Sequence, residues 1–345
     1  MSQNITPKYT SDYPEIFTIT GPDGITLDAM AWGATILDMQ VPVPGEASRS
    51  VLLRLKTLED WYRQKVAVNA IVGRFANRIA NSTFTIDGDT YQLQSRFQHC
   101  LHGGDEGFNR RIFHMEKISS DTLECSLLSP DGDMGFPGNF HLKVTYSLAE
   151  KSSLLIKFQG KCDKKTYASI TSHCYFNLNG CNSPVLDHKI RSSASEYLEL
   201  ASDGIPTGKI LKTLGTPFDF REEKTIGKDL NKIPDYQIFQ GYDHPLIKPA
   251  DSPEEFLTLT SGDEKLHMAL SSDYPAFQLY TANFMSSPGH EMTAADNSEE
   301  YQSHSAVCVE PEYFPDAPHL SAFREINPPV TPQDPLNHYL KLRFY

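Results

Sequence analysis

The sequence predicts an all-β protein, folded as a large antiparallel β-sandwich with few short helices. Hydrophobic and polar residues alternate with period two in segments spread along the 345 residues, as half-buried strands require. Turn residues such as Gly, Pro and Asp separate these segments. The 3.6-residue periodicity that is typical of helices is scarce.

The predicted elements are mostly strands. The best helix candidate runs from Thr57 to about Ala67, where Thr57 and Asp60 can form a capping pair. Asp87-Gly88 predicts a hairpin turn between two short strands. The alternating segments lie at 25–31, 84–86, 91–93, 142–148, 154–158, 266–270 and 340–344.

One domain over residues 1–345 is predicted, because the 23 prolines and 21 glycines are spread along the chain and no internal repeat occurs. Longer connecting segments lie around 131–140, 231–255 and 286–305. Binding groups usually sit on such loops of a rigid β scaffold.

Charge and cysteine usage restrict the partners and the compartment. The 31 Lys and Arg residues against 44 Asp and Glu give a net charge of −13, which repels nucleic acid and anionic membrane surfaces but not a neutral small molecule. The first fifteen residues lack the basic and apolar regions of a signal peptide, and no apolar stretch is long enough to span a membrane. We therefore expect a cytoplasmic protein with reduced thiols, since no C-x-x-C pair occurs. The cysteines are Cys100, Cys125, Cys162, Cys174, Cys181 and Cys308.

Two polar clusters in the first third of the chain are candidate binding segments. In residues 73–84, Asn77 and Arg78 stand between apolar neighbours, where the arginine could bind a ligand or form a structural ion pair. In residues 101–113, His102 precedes Gly103-Gly104, which permits close backbone approach or positive φ and which we expect to make room for a ligand. His99 lies three residues earlier, but no third ligand follows at a metal-site spacing, so no metal is predicted.

Three further clusters lie towards the C-terminus. His173 occurs in a strand-like run that ends in an Asn-Gly turn, and a histidine there can exchange protons near neutral pH. Asp243 is a possible hydroxyl acceptor, with an exposed loop aspartate as the alternative. Glu310 follows an apolar run, where a carboxylate is costly to bury unless it is paired or used. The loop at 131–140 lacks the later acidic ligands of a calcium loop. Phe136 and Pro137 in this loop could form the wall of a pocket or belong to a compact surface turn.

Seven segments in this order resemble the aldose 1-epimerase family, in particular the bacterial galactose mutarotases, over nearly the whole chain. They are GRFANRIANSTF, LHGGDEGFNRR, DGDMGFPGNF, SHCYFNLNG, GYDH, FQLYTANF and EPEYFPDA.

The resemblance implies a galactose mutarotase-like supersandwich that acts on a free aldohexose, with galactose expected, and that needs no cofactor or metal. It implies His173 as general acid and Glu310 as general base in ring opening and reclosure, and hence a bell-shaped pH profile. Tyr175 would line the same pocket. The residues implied to hold the sugar hydroxyls are Asn77, Arg78, His102, Asp243 and Gln278. The oligomeric state stays open between monomer and homodimer.

The chain departs from the family pattern at three positions. Phe113 replaces an expected tryptophan, and Ser172 and Cys174 flank His173 in place of the usual context. These changes lie beside the implied catalytic groups, so they bear on fine specificity. The alternatives to an epimerase of free sugars are a glycosidase using Glu310 and Asp243, a non-catalytic carbohydrate-binding sandwich, and an epimerase of a modified or oligomeric sugar.

Overall fold

Antiparallel strands account for most of the regular structure in the computed structural model, which describes residues 15–180, 183–286, 292–296 and 299–345. Three short α-helices lie between them, α1 Leu58–Arg63, α2 Tyr236–Phe239 and α3 Ser321–Ile326. The strands are β1 Ile16–Thr20, β2 Thr26–Met30, β3 Thr35–Val41, β4 Arg49–Ser50, β5 Ile71–Val72, β6 Arg78–Ile79, β7 Thr83–Ile86, β8 Asp89–Gln92, β9 Cys100–Leu101, β10 His114–Lys117, β11 Thr122–Ser129, β12 Phe140–Ser147, β13 Ser153–Cys162, β14 Thr171–Ser172, β15 Lys189–Ser192, β16 Glu196–Leu200, β17 Pro206–Lys212, β18 Lys224–Thr225, β19 Asp243–Ile247, β20 Glu255–Thr260, β21 His267–Ser272, β22 Ala276–Tyr280, β23 Cys308–Glu312 and β24 Leu336–Phe344.

The strands pair into one large sheet and several smaller ones. The nine-stranded sheet has the order β10-β11-β12-β13-β24-β21-β20-β15-β18, and the five-stranded sheet has the order β17-β16-β19-β22-β23. Strands β1 to β4 form a third sheet, and the remaining strands form two-stranded pairs. The predicted all-β sandwich with few short helices is therefore confirmed.

The main core lies between the apolar faces of these sheets. Val144 and Ile156 from the nine-stranded sheet share one hydrophobic cluster with Leu279 and Val309 from the five-stranded sheet. All four side chains are 0–1% exposed, and each such burial contributes about 1.5–3 kcal/mol. Strand β12 shows the underlying pattern, because its residues are alternately buried and exposed or half-buried, as period-two alternation predicts.

The predicted capping pair is present at helix α1. The Thr57 hydroxyl accepts from the Asp60 N–H at 3.2 Å, and the Thr57 N–H donates to the Asp60 carboxylate at 3.0 Å. The helix ends at Arg63 rather than near Ala67. Gln64 leaves the helical backbone, and its side-chain oxygen accepts from the Val66 N–H at 3.0 Å. Among the described residues, no helix combines the length and the apolar character needed to cross a bilayer.

The predicted hairpin, connecting segments and free cysteines can also be compared with the structure. The predicted hairpin is present as β7 and β8. The segment 231–255 is not one long loop, because α2 and β19 lie within it. The segment 286–305 falls partly outside the described residues. Five cysteines are free and buried, while Cys181 lies outside the described residues.

Candidate active site

One face of three neighbouring strands carries the acidic groups of the site. Gln278 on β22 pairs with Glu310 on β23, and Tyr280 on β22 pairs with Asp243 on β19. Paired residues of antiparallel strands point to the same face, so these side chains lie together. The intervening residues, such as Leu279, point into the main core. Alternation thus gives the sheet one apolar face and one polar face.

His173 reaches Glu310 from a separate segment that is paired beside β23. Phe176 and Val307 form an antiparallel bridge with two hydrogen bonds of 2.9 Å. Continuing that register by three residues brings His173 beside Glu310. The His173 Nε2 atom lies 3.7 Å from the Glu310 Oε2 atom, and the side chains are 7% and 3% exposed. The His173 ring is stacked on Tyr175 with centroids 4.9 Å apart.

The third wall comes from two loops that are joined by the pairing of β6 with β9. The Asn77 amide Nδ2 donates to Glu312 at 2.8 Å and to Gln278 at 3.1 Å. The Asn77 backbone N–H donates to His102 Nδ1 at 3.2 Å. A neutral His102 that accepts at Nδ1 carries its proton on Nε2, and its ring lies edge-to-face against His173 with centroids 5.2 Å apart.

Gly103 has the close backbone approach and the positive φ that the sequence predicts for this glycine pair. A Cβ atom at this position would lie 2.1 Å from the Gly73 carbonyl oxygen, so the glycine makes room for the neighbouring backbone rather than for a ligand. Its φ of +88° also favours glycine. The two loops can therefore pack closely enough for Asn77 and His102 to share one wall.

A cavity of about 510 Å³ opens between these walls. The residues that line it include the exposed Lys65, Arg96 and Phe97 and the half-buried Arg110. All eight site residues singled out from the sequence line it: Asn77, Arg78, His102, His173, Tyr175, Asp243, Gln278 and Glu310. Gln278 also donates to the Asp243 carboxylate at 2.6 Å. Asp243 begins strand β19 and is not an exposed loop residue.

Burial controls the protonation of the site. Loss of hydration lowers the pKa of His173 to about 4. The pKa of Glu310 is raised well above its usual value, first by burial and then by the charges of Glu312 and Asp243. Burial likewise raises the pKa of Glu312 to about 8, although Asn77 donates to it. Desolvation disfavours the charged form of each of these groups.

Three neighbours of the site were missed by the sequence reasoning. Tyr280 lines the cavity two residues after Gln278, and Cys308 and Glu312 flank Glu310 at the same spacing. The period-two rule could have found all three, since residues i and i+2 of a strand share a face. The donor atoms of His173, Cys308 and Glu310 lie within 4.8 Å of one another, so they could hold a metal ion.

His99 and the calcium-like loop have structural roles. His99 Nδ1 accepts from the Asn81 N–H at 3.0 Å, and its Nε2 lies 3.2 Å from Asp203. Both ring nitrogens of His99 therefore have partners other than a ligand shared with His102. In the loop at 131–140, Asp131 accepts from the Gly138 N–H. Phe136 is buried in a hydrophobic cluster and does not line the cavity.

The three departures from the family pattern lie behind the cavity wall. Phe113 is 1% exposed in the main core. The Ser172 hydroxyl lies 3.1 Å from the Cys174 sulfur, with both residues buried. None of the three lines the cavity.

Comparison with known proteins places the chain in a family. The sequence pattern described as aldose 1-epimerase matches residues 15–342. The aldose 1-epimerases of Haemophilus influenzae and Escherichia coli are 37% and 35% identical, each over 88% of this chain and over 88% and 87% of their own lengths. The galactose mutarotase of Rattus norvegicus is 32% identical over 93% of this chain and 92% of its own.

Solved structures agree with this assignment. An aldose epimerase homologue from C. elegans superposes with a TM-score of 0.88 at 25% identity, covering 96% of this chain and 99% of its own. The galactose 1-epimerase of Lactobacillus acidophilus has the same fold, with a TM-score of 0.81 at 23% identity and coverage of 96% and 94%. The chain therefore belongs to the aldose 1-epimerase family of isomerases.

Proposed function

We propose that this protein interconverts the α and β anomers of a free aldohexose, with galactose as the preferred sugar. The observation that carries the proposal is the separation of 3.7 Å between His173 Nε2 and Glu310 Oε2. Both groups line a cavity of about 510 Å³, which is within the range for small-molecule sites. The relatives from Rattus norvegicus and Homo sapiens are named galactose mutarotase, which supports the choice of sugar.

The reaction requires two proton transfers at neighbouring oxygen atoms. An aldose is a cyclic hemiacetal, so its C1 hydroxyl and its ring oxygen are bonded to the same carbon. Glu310 removes the proton of the C1 hydroxyl while His173 protonates the ring oxygen, and the C1–O5 bond breaks to give the open aldehyde. After rotation about C1–C2, the same transfers run backwards on the opposite face of the carbonyl. Both side chains return to their starting states.

The pKa directions refine the starting state of this pair. The proposed step begins with a charged His173 and a charged Glu310, whereas burial favours the neutral form of each. The charged pair and the neutral pair contain the same number of protons. They differ only in whether the shared proton is on His173 or on Glu310. We therefore propose that the pair acts as a one-proton unit. A bell-shaped pH profile still follows, bounded by gain of a second proton and loss of the first, with apparent pKa values that belong to the pair.

The remaining cavity residues suit the hydroxyls of a sugar. Asp243 offers a carboxylate acceptor, and His102 offers the Nε2–H that its contact with Asn77 leaves free. Arg78 presents a forked donor beside them. The hydrogen bonds from Gln278 to Asp243 and from Asn77 to Gln278 hold the acceptors in place. Such fixed groups orient the ring while C1 rotates.

The proposal extends to the organisation of the protein. Residues 1–345 act as one aldose 1-epimerase domain in the cytoplasm, with a free sugar as the partner. The acid and base complete the reaction without a nucleotide or a metal ion, because each group is regenerated in every turnover.

Replacing Glu310 with Gln tests the proposal directly. The amide has nearly the same shape but cannot accept the proton, so kcat/KM should fall about 10²–10⁴-fold. Polarimetry of freshly dissolved α-galactose measures the rate, and glucose and pentoses run in parallel measure the sugar preference. Glu325→Gln, on the exposed face of α3, is the matched control and should retain full activity. Wild-type rates in Glu310→Gln would eliminate the assigned base.

Two substrates separate the alternatives. A glycoside with a blocked C1 oxygen is inert to an epimerase but releases sugar with a glycosidase. A carbohydrate-binding protein would bind galactose, as calorimetry can measure, without accelerating the change in optical rotation.

A further inference from the structure

Cys308 places a thiol next to the acid and base groups, and the proposed reaction does not use it. The donor atoms of His173, Cys308 and Glu310 lie within 4.8 Å of one another, and all three residues are buried. Imidazole, thiolate and carboxylate are the donor types of protein zinc sites. Ligands at about 2.1 Å in tetrahedral geometry are about 3.4 Å apart, which is close to the 3.7 Å between His173 and Glu310.

Two of these three donors are not occupied by hydrogen bonds. Within the described residues, neither His173 Nε2, the nitrogen that faces Glu310, nor the Glu310 carboxylate makes a hydrogen bond. The 3.7 Å between these two groups is too long for one. Most buried polar side chains are paired, so these groups are available to a ligand.

The charge around the cluster favours a cation. The carboxyl groups of Asp243 and Glu310 line the cavity, and the charge of Glu312 acts on Glu310 from nearby. Among the described residues, Arg78 is the one cationic side chain that acts on Asp243 and Glu312. Of the other cationic residues that line the cavity, Lys65 and Arg96 are exposed and Arg110 is half-buried, whereas Glu310 is buried. A divalent cation between His173, Cys308 and Glu310 would neutralise the Glu310 carboxylate and the Cys308 thiolate together.

We propose that His173, Cys308 and Glu310 form an inhibitory site for a thiophilic divalent cation such as Zn²⁺ or Cd²⁺. The fourth ligand position would face the cavity, as in zinc sites with three protein ligands. Binding would occupy both members of the acid-base pair and stop catalysis. Mg²⁺ would not bind, because it prefers oxygen ligands in octahedral geometry.

The first test measures binding without using the enzyme activity. The full-length protein is titrated with Cd²⁺, and the cadmium–thiolate absorption in the ultraviolet is followed. Wild type should give one equivalent of this absorption, whereas Cys308→Ser should bind at least about tenfold more weakly, since loss of even an outer-shell partner costs 10–100-fold. Cys174→Ser is the matched control, because it removes another buried thiol next to His173 and leaves the three ligands intact.

The second test uses mutarotation and rests on the proposed function. Zn²⁺ should inhibit the wild-type enzyme, and Mg²⁺ at the same concentration should not. Measured against its own rate without metal, Cys308→Ser should raise the half-inhibitory Zn²⁺ concentration at least about tenfold. If Cys308→Ser does not fold, Glu310→Gln should show the same weakening in the Cd²⁺ titration.

The outcomes distinguish the two proposals. The metal site is overturned if wild type gives no cadmium–thiolate absorption, or if Cys308→Ser binds Cd²⁺ or responds to Zn²⁺ as wild type does. Cadmium binding that depends on Cys308, in a protein that never accelerates mutarotation, would support the metal site and overturn the proposed function.

Discussion

Two buried polar regions of this protein each contain an arginine from residues 73–84, Arg74 in one and Arg78 in the other. They differ in how their polar groups are hydrogen-bonded. Arg74 is 1% exposed, and its Nη1 donates to the carbonyls of Pro137 and Gly138 at 2.9 and 3.0 Å. Its Nη2 donates to the Ser129 carbonyl and hydroxyl at 3.1 and 2.5 Å. Burial lowers the pKa of Arg74 only to about 10, so it stays charged.

The cavity around Glu310 shows the opposite pattern. Within the described residues, His173 Nδ1 and Glu312 Oε2 are buried without hydrogen-bond partners. Arg78, four residues after Arg74, lines the cavity and does not hold a loop together. Arg74 Nε is also buried without a partner, but both terminal nitrogens of its guanidinium are paired. The comparison indicates that a buried charge whose terminal donors are satisfied serves stability, whereas unpaired groups beside a cavity are available to a ligand.

The largest effect on stability is expected when Arg74 is replaced with Met. Several buried carbonyls would then lose their donor, so the free energy of unfolding should fall by about 3 kcal/mol. Urea denaturation measures this change, and kcat/KM per folded molecule should stay near that of wild type. Arg63→Met, on the exposed surface of α1, is the control and should cost less than about 1 kcal/mol. An unchanged unfolding energy for Arg74→Met would contradict a stabilising role of the buried guanidinium.

Asp243→Asn should show the reverse behaviour. Removal of the charged acceptor weakens its hydrogen bonds to a sugar, each worth about 1.5–3 kcal/mol, so kcat/KM should fall about 10–100-fold. The unfolding energy should change by less than about 1 kcal/mol, because the amide can still accept from Gln278. Polarimetry and urea denaturation of the same samples provide both values. A variant that loses stability but keeps its activity would place Asp243 among the structural groups.

The smallest effect concerns the pH dependence of stability. The pKa of Glu312 is raised in the folded state to about 8, so the folded protein retains a proton that the unfolded chain releases near pH 4.5. The contribution of Glu312 to stability should therefore decrease as the pH rises from about 4.5 to about 8, whereas buried histidines with lowered pKa values contribute with the opposite sign. Glu312→Gln removes the Glu312 contribution alone, so between pH 5 and 8 the unfolding energy of the variant should shift relative to wild type by at least about 1.4 kcal/mol in favour of the variant, the equivalent of one pKa unit. Parallel slopes for the two proteins would contradict a protonated Glu312.

Local patterns accounted for much of the fold. Alternation predicted strands such as β12, β13 and β24, Asp87-Gly88 predicted its hairpin, and Thr57 with Asp60 predicted the start of α1. These features depend on residues close together in the chain, so the sequence contains their cause. The end of α1 was missed because a side chain, Gln64, replaces the helical hydrogen bonds there.

The sequence by itself determined the all-β class and, through a resemblance spread over seven segments, the identities of eight residues that line the cavity. Only the tertiary structure decided which buried polar groups are paired and which are free. It brings His173 beside Glu310 across 137 positions of the chain, places Gly103 against the Gly73 backbone, and adds Tyr280, Cys308 and Glu312 to the site. The physical reason is that burial and hydrogen bonding depend on neighbours distant in sequence, which no local pattern specifies.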